Sequence, residues 1–514
     1  MTGGTICMRR SEMGFVPARG FLEAGMKPRP SFNDGSNPEP LEALTVQGES
    51  TVLQSLRTPV SAYERQVRYA ILEFDELLDS SSIDAKGWND IAKAIARNYQ
   101  LFDAFVVLHG TDSLAYTCSA LSFMLENLGK PVIFTGSQVP MMELQNDATD
   151  NLLGSLIIAG HFMIPEVCLF FNYELFRGNR ATKTSASHFS AFSSPNHPPL
   201  ATMSSIKTHV AWPLIYRPTH IHSFGIRTDL DTAHVACLRI FPGIRPEMVD
   251  GVLRLEGLRG LVLETFGAGN TPGGPDSTMT HVIEDAVRRG IIIVNVTQCT
   301  TGTVSALYAP ATVLGRAGVV FGHDMTTEAA LAKLSYLLAV PGLSGPEIVH
   351  KMSISIRGEL NEHSKTTFSH PSSPTDPSPR MGSLAALTAA VNRGDLDAVQ
   401  EVMRMEPTWL LNEADELGNT PLHHAATGPN LDILRHFLSQ GASVHLRNRA
   451  GRTPLFLAAS SGRHENVLLL RDSGAHLHAS ERGRAWLQST QNAHIWRAAG
   501  LSSERVVPKA DGER

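Results

Sequence analysis

Residues 104–129 read AFVVLHGTDSLAYTCSALSFMLENLG. A short apolar, β-branched run, Ala104–Leu108, gives way to a polar loop, His109–Ser113. A helical pattern follows, placing Leu114, Leu121, Met124, Leu125 and Leu128 near one face and stopping at Gly129. A strand without polar alternation is covered on both faces, so this unit predicts a parallel sheet flanked by helices.

The pattern recurs on both sides. PVIFTGSQVP (131–140), EVCLFFNYE (166–174), GLVLETFGAGN (260–270) and IIIVNVTQCTTG (291–302) are further apolar runs that end in Gly, Thr or Asn, with helical stretches between them. Together they predict a doubly wound, mostly parallel α/β fold, in which ligands sit at the carboxyl ends of the strands. The polar residues ending these runs are the place to look for chemistry. Residues 9–62, rich in Pro and Gly, read as a long loop region lying over that place. HFSAFSSPNHPPLATMSS (188–205) reads as loop too, and a second set of strands begins near His234. The spacing predicts a larger α/β lobe over 1–215 and a smaller one over 230–358.

NEHSKTTFSHPSSPTDPSPR (361–380) is dense in Ser, Thr and Pro and reads as a linker. Beyond it, TPL tripeptides start at Thr420 and Thr453, a spacing of 33, which is the ankyrin period. With the degenerate copy LAALTAAVNRGDLDAVQEVM (384–403), and QSTQNAHIWRAAGL (488–501) as cap, 381–500 is expected to form an all-α ankyrin stack.

Composition narrows the function. A formal charge of −6 over 514 residues, without a Lys/Arg-rich block, argues against nucleic acid as a partner. No apolar run approaches the ~20 residues needed to span a bilayer, and no signal-peptide core opens the chain. The five cysteines (7, 118, 168, 237 and 299) are scattered, with no CxxC pair, and read as reduced thiols of a cytosolic protein. His220-x-His222 reads as loop rather than a metal site.

Taken alone, His109–Ser113 is as well explained by Asp112 or Ser113 capping the helix. Asp79-Ser80-Ser81 suits an ordinary helix start before Trp88, Lys183 a solvated surface charge, and Tyr308 a core aromatic. Their joint occurrence outweighs these readings. Thr2-Gly3-Gly4-Thr5, Asp79-Ser80-Ser81, His109-Gly110-Thr111-Asp112 and Ala181-Thr182-Lys183-Thr184 resemble, in order and spacing, the motifs of L-asparaginases. LFRGNRATKT (175–184) and MTTEAALAKLSYLLAVPG (325–342) are similar to the cytosolic, type I branch. The likeness spans residues 2–358, and the ankyrin tail resembles the longer animal members.

That resemblance implies hydrolysis of L-asparagine to L-aspartate and ammonia without metal or organic cofactor. It implies Thr5 as nucleophile, Lys183 as base in a Thr111–Lys183–Asp112 arrangement, and Asp79, Ser80 and Ser81, with Asp112, holding the α-amino and α-carboxylate groups. Tyr308 would lie near the nucleophile. It also implies a homo-oligomer, with the ankyrin repeats offering a surface to a protein partner. The chemistry is coherent: a threonine hydroxyl needs an adjacent proton acceptor, a lysine serves only when desolvated, and backbone N–H groups near Gly4, Thr5 or Thr111 would receive the oxyanion.

Three departures stand out. No hydrophobic strand precedes TGGT, so the nucleophile loop is expected to be anchored on one side only. Cys7 replaces a usual glycine and would be strained where φ is positive. Glu264 stands where bacterial relatives with a second, allosteric asparagine site carry arginine, so that allostery is not carried over. These departures leave two alternatives: a catalytically impaired scaffold that binds a partner through its repeats, or a lysophospholipase-type ester hydrolase, although the GxSxG elbow of many esterases is absent.

Overall fold

The computed structural model describes residues 1–12, 14–205, 207–217, 223–273, 277–304, 309–361, 379–405, 408–490 and 492–501. Tyr308, His220, His222 and most of the Ser/Pro-rich stretch lie outside them. The chain divides into two compact units, Met1–Ala211 with Phe224–Ser364, and Trp212–Ser223 with Lys365–Arg514.

The first unit opens with a 3₁₀ turn, Thr5–Cys7. Three antiparallel ribbons follow: β1 (Met8–Ser11) with β2 (Gly14–Pro17), β3 (Leu41–Leu44) with β4 (Ser50–Leu53), and β5 (Ser55–Arg57) with β6 (Arg68–Ala70). Residues 9–62 are therefore not one long loop. Strands of three or four residues with mixed exposure carry too little periodicity to stand out from irregular chain.

After α1 (Ala85–Asn98) the strand–helix alternation begins: β7 (Phe105–Leu108), α2 (Leu114–Met124), β8 (Leu125–Glu126), β9 (Val132–Thr135), α3 (Ala148–His161), β10 (Val167–Phe171) and β11 (Glu174–Arg177). The short strands β12 (Thr182–Lys183), β13 (Phe192–Ser193), β14 (Ala201–Met203) and β15 (Thr208–Val210) complete the lobe. One sheet runs β15-β14-β11-β10-β9-β7, with β10, β9 and β7 parallel and the remainder antiparallel. Its faces are both covered. Val107 packs in the cluster that holds Leu114 and Leu121 of α2, whereas Val106 and Leu108 pack with Leu152 and Leu156 of α3.

Helix α2 ends at Met124, short of the Gly129 that the pattern suggested. Leu125 and Glu126 leave the helix to pair antiparallel with β16 (Gly225–Ile226), and Asn127 turns the chain at φ 56°. Ten of its eleven residues are buried, so apolar spacing could not mark where it stops.

The second lobe is a four-stranded parallel sheet in chain order: β17 (Val235–Arg239), β18 (Gly260–Thr265), β19 (Ile292–Thr297) and β20 (Val320–Phe321). Helices α4 (Pro246–Leu253), α5 (Thr278–Arg288), α6 (Ala309–Arg316), α7 (Thr327–Ala339) and α8 (Gly345–Ser353) accompany it. Val262 and Val294 face α7 in the core that also holds α2, while Leu261, Leu263 and Ile293 face α4 and α5. The lobes thus share one core across α2 and α7. Under α7, the fully buried Lys333 ammonium meets Glu359 at 2.6 Å and donates to the carbonyl of Met352.

The second unit stacks four helix pairs: α9 (Pro379–Arg393) with α10 (Leu396–Met405), α11 (Pro421–Thr427) with α12 (Leu431–Ser439), α13 (Pro454–Ser460) with α14 (His464–Asp472), and α15 (Ala479–Gln488) with α16 (Ala493–Ala498). In each TPL tripeptide the threonine is the N-cap, the proline starts the helix where its missing N–H costs nothing, and the leucine is buried. His423 receives the backbone N–H of Thr420 on Nδ1 at 3.1 Å and reaches the carbonyl of Arg452 in the next repeat at 3.1 Å. Burial depresses its pKa to about 4. Among the described residues, no helix is long and apolar enough to cross a membrane.

Candidate functional site

The opening glycines exist because backbone crosses backbone. Gly3 and Gly4 hold φ of 125° and 87°. A Cβ on Gly3 would lie 2.2 Å from the carbonyl oxygen of Leu78, and one on Gly4 would lie 2.3 Å from the amide of Gly110. Only glycine fits either place. The crossing brings the TGGT turn against the loop after β7, and that loop against Ser80, whose side chain would be 2.6 Å from a Cβ on Gly110.

The turn that carries Thr5 is held from both sides, contrary to the expectation of a single anchor. Thr2 donates its N–H to the carbonyl of Leu108 at 3.1 Å and receives the N–H of Leu78 at 2.9 Å, and Gly4 donates to Leu78 at 3.1 Å. Cys7 is also unstrained. It closes the 3₁₀ turn, has no positive φ, and donates its buried thiol to the carbonyl of Gly4 at 3.3 Å.

A buried relay fixes the loop after β7. Trp88 Nε1 donates to Thr117 Oγ1 at 3.0 Å, Thr117 pairs with His109 Nε2 at 3.0 Å, and His109 Nδ1 pairs with the carbonyl of Gly110 at 2.7 Å. Burial lowers the His109 pKa to about 4, so the ring is neutral at pH 7 and each partner has one proton to give along the chain. With the loop so held, neither Asp112 nor Ser113 caps α2. Ser113 donates its hydroxyl to the carbonyl of Ser80 at 2.6 Å, and Asp112 turns to Lys183. Asp79 likewise does not start α1. It caps a separate 3₁₀ turn, Ser80–Ser82, while Asp84 caps the helix.

Lys183 comes from β12, which pairs with β13. Its Nζ lies 2.9 Å from Thr111 Oγ1 and 2.8 Å from Asp112 Oδ1, with 19% of the Lys183 side chain and 66% of the Asp112 side chain exposed. Thr111 is buried and donates its own hydroxyl to Gln138 Oε1 at 3.2 Å, which leaves an oxygen lone pair for the lysine. Gln138 is fixed in turn by its backbone N–H, which donates to Asp147. From the other side, Glu328 at the start of α7 receives the hydroxyl of Thr182 at 2.7 Å and steadies β12; burial raises the pKa of that carboxyl.

The structure therefore brings Thr5, Ser80, Thr111, Asp112 and Lys183 to one polar rim, with Asp79 and Ser81 exposed beside Ser80. The backbone N–H of Asp112 donates to Ser80 Oγ at 3.2 Å. Gly4 cannot serve an oxyanion because its N–H is engaged by Leu78, whereas the N–H groups of Thr5 and Thr111 have no partner among the described residues. Gln138 and Glu328 carry no chemistry of their own in the sequence; only their tertiary contacts mark them. No group of three or more His, Cys, Asp or Glu side chains suited to a metal occurs among the described residues. Glu264 receives the hydroxyl of Thr327 at 2.6 Å.

A two-lobed parallel α/β fold with a threonine–lysine–aspartate cluster at its strand ends is the arrangement of a hydrolase of the asparaginase class. The chain belongs to the asparaginase family. Residues 1–216 match the family described as asparaginase, N-terminal, 234–352 match the glutaminase/asparaginase C-terminal domain, and 387–481 match ankyrin repeats in three copies. The chain is 39% identical over 482 residues to a Mus musculus protein named 60 kDa lysophospholipase, covering 92% of this chain and 78% of that one. It is 35% identical over 523 residues to an L-asparaginase of Dirofilaria immitis, covering 97% and 86%. The crystal structure of L-asparaginase I from Vibrio cholerae superposes with a TM-score of 0.58 at 40% identity, covering 70% of this chain and 97% of that one.

Proposed function

We propose that the chain hydrolyses the side-chain amide of L-asparagine to L-aspartate and ammonia. The observation that carries this reading is Lys183 Nζ held 2.9 Å from Thr111 Oγ1 and 2.8 Å from Asp112 Oδ1, beside the turn that carries Thr5. In this reading Asp79, Ser80 and Ser81, with Asp112, hold the α-amino and α-carboxylate groups. Thr5 Oγ1 attacks the amide carbon while its proton passes to Thr111, whose own hydroxyl proton turns from Gln138 to the Lys183 nitrogen in its unprotonated form and from there reaches the leaving nitrogen. The N–H groups of Thr5 and Thr111 receive the oxyanion. Ammonia departs, leaving a β-aspartyl ester on Thr5, and water attacks that ester by the reverse proton route to release L-aspartate. Tyr308 belongs near the nucleophile by resemblance alone.

Release of ammonia from L-asparagine by the purified chain, Thr5→Ala and Lys183→Ala tests this. Each variant is expected to lose about 10³-fold or more in kcat; full activity in either overturns the mechanism. The name of the mouse relative favours a second reading, ester cleavage of a lysophospholipid by the same hydroxyl. Fatty-acid release that survives Thr5→Ala would exclude it. A cytosolic homo-oligomer, with a protein partner on the repeats and lobes divided near 215–230, completes the proposal.

A further inference from the structure

In the second unit, the turn before α13 and the first residues of α15 enclose a cavity of about 100 Å³, lined by Arg447, Arg452, Phe456, Ser480, Glu481 and Arg484. That volume holds about three waters, or one tetrahedral anion. The sequence makes this turn basic. Leu446-Arg447-Asn448-Arg449-Ala450-Gly451-Arg452 places three arginines in seven residues, and Arg482 and Arg484 follow in the next repeat. Arg449, Arg482 and Arg484 are exposed, so an approaching anion meets positive charge before it reaches the cavity.

Neighbouring groups fix the arginines of the lining. Arg447 donates from Nε to the carbonyl of Gly451 at 2.9 Å and from Nη2 to Ser480 Oγ at 2.9 Å. Arg484 donates from Nη1 to the carbonyl of Ala450 at 3.4 Å. Arg452 lies 5.6 Å from the centre of the Phe456 ring, which is buried and packs edge-on against Trp496. Its Nε is buried and has no hydrogen-bond partner among the described residues. A buried donor left unsatisfied is costly, and an acceptor in the cavity would relieve it.

Glu481, the acid of the lining, is not that acceptor. Its Oε1 receives the N–H of Thr453 at 2.6 Å, and its Oε2 receives the N–H of His478 at 2.7 Å and the hydroxyl of Thr453 at 3.3 Å. The carboxylate is committed to joining two repeats. Three guanidiniums therefore face one carboxylate, and positive charge is in excess. The donors come from both repeats. A planar carboxylate is served by a single fork, whereas a tetrahedral anion accepts from several directions at once. A phosphate monoester, with a charge of about −1.5 to −2 at pH 7, suits both the shape and the excess.

We infer that this cavity binds a phosphate monoester, presented by a phosphorylated serine or threonine of a protein partner. Arg452 and Arg484 reach its oxygens, and Arg447, held by Gly451 and Ser480, supplies the third guanidinium. Phosphate binding stands on the cavity alone; the protein carrier rests on the reading that the repeats take a protein partner.

The test titrates the full-length chain, at fixed ionic strength, with a short glycine–alanine peptide carrying phosphoserine at its centre. The same peptide with serine, the same with aspartate, and sodium phosphate are titrated beside it. The phosphopeptide is expected to slow hydrogen exchange in residues 446–454 and 478–486, and to raise the Tm of the repeat unit by about 5 °C at a tenfold excess over Kd. The serine peptide should do neither. Arg452→Gln and Arg484→Gln should each weaken binding about tenfold, while Arg435→Gln, whose arginine pairs with Asp432 on α12, should not. If Arg452→Gln unfolds the repeats, Arg484→Gln decides, since its side chain is exposed. Unchanged exchange at millimolar phosphopeptide overturns the site. Equal binding of the aspartate peptide overturns the choice of phosphate, and equal weakening by Arg435→Gln would mean diffuse charge attraction. Sodium phosphate that binds as tightly as the phosphopeptide supports the anion cavity and overturns the protein carrier.

Discussion

At the scale of single residues, the candidate site depends on groups whose value lies in where other atoms hold them. Gln138 accepts the Thr111 hydroxyl and so fixes the direction of the Thr111 side chain beside Lys183. Gln138→Leu removes that direction while leaving every proposed reacting group in place. The expected result is a fall of about 10–100-fold in kcat for ammonia release with KM little changed, since misorientation acts on the transition state. An unchanged kcat would show that Thr111 finds its orientation without help. Cys7 gives a stability test of the same kind. Its thiol is buried in a turn of ordinary φ, so Cys7→Gly removes packing and loosens the unfolded chain. A loss of about 1–2 kcal/mol is expected, read as a lower Tm; a higher Tm would restore the idea that cysteine strains this position. Glycine at positions 3 and 4 was legible as a requirement of a sharp turn. Its cause, the crossing of Leu78 and Gly110, lies in contacts more than seventy residues away along the chain.

At the scale of elements, the His423 ring ties α11 to its own N-cap and to the following repeat. Its pKa falls from 6.5 unfolded to about 4 folded, because burial opposes the charged ring. As pH drops below 6.5 the unfolded chain takes up the proton first, so the stabilisation present above that pH fades between 6.5 and 4, by about 3 kcal/mol in all. His423→Gln keeps a T-x-x-Q capping box and removes the titration. Urea midpoints at pH 7 and 4.5 should therefore draw together for the repeat unit of this variant, and a wild-type gap between them would sink the assignment. Sequence legibility divides along the same line of physics. β7, β9, β10, β18 and β19 were readable because strands covered on both faces are apolar without interruption, and TPL was readable because cap, proline and buried leucine are local demands. The ribbons β1–β6 and the early end of α2 were not readable, because pairing with distant chain decides them. The same holds in the site, where the motifs stand in order in the sequence but Gln138, Asp147 and Glu328 enter only through tertiary hydrogen bonds.

At the scale of the whole molecule, the chain carries two separately constituted cores. One group of clusters lies within residues 1–360, and another, from Leu384 to Leu501, holds the repeats. Two cores in one chain argue against a single two-state transition. Calorimetry is expected to show two transitions, and His423→Gln at pH 5 identifies the one that belongs to the repeats. A ligand that binds one folded unit raises only that unit's transition, by RT ln(1 + [L]/Kd). L-Aspartate, the product of the proposed reaction, should therefore lift the transition of the first unit by about 3–5 °C at a hundredfold excess over Kd and leave the other in place. This measurement also separates enzyme from scaffold without turnover. A scaffold that has lost its amino-acid site shows no shift with L-aspartate, whereas an impaired enzyme keeps the shift and lacks only ammonia release. Movement of both transitions together would contradict independent cores, and would require that binding at the strand ends be felt by the ankyrin stack.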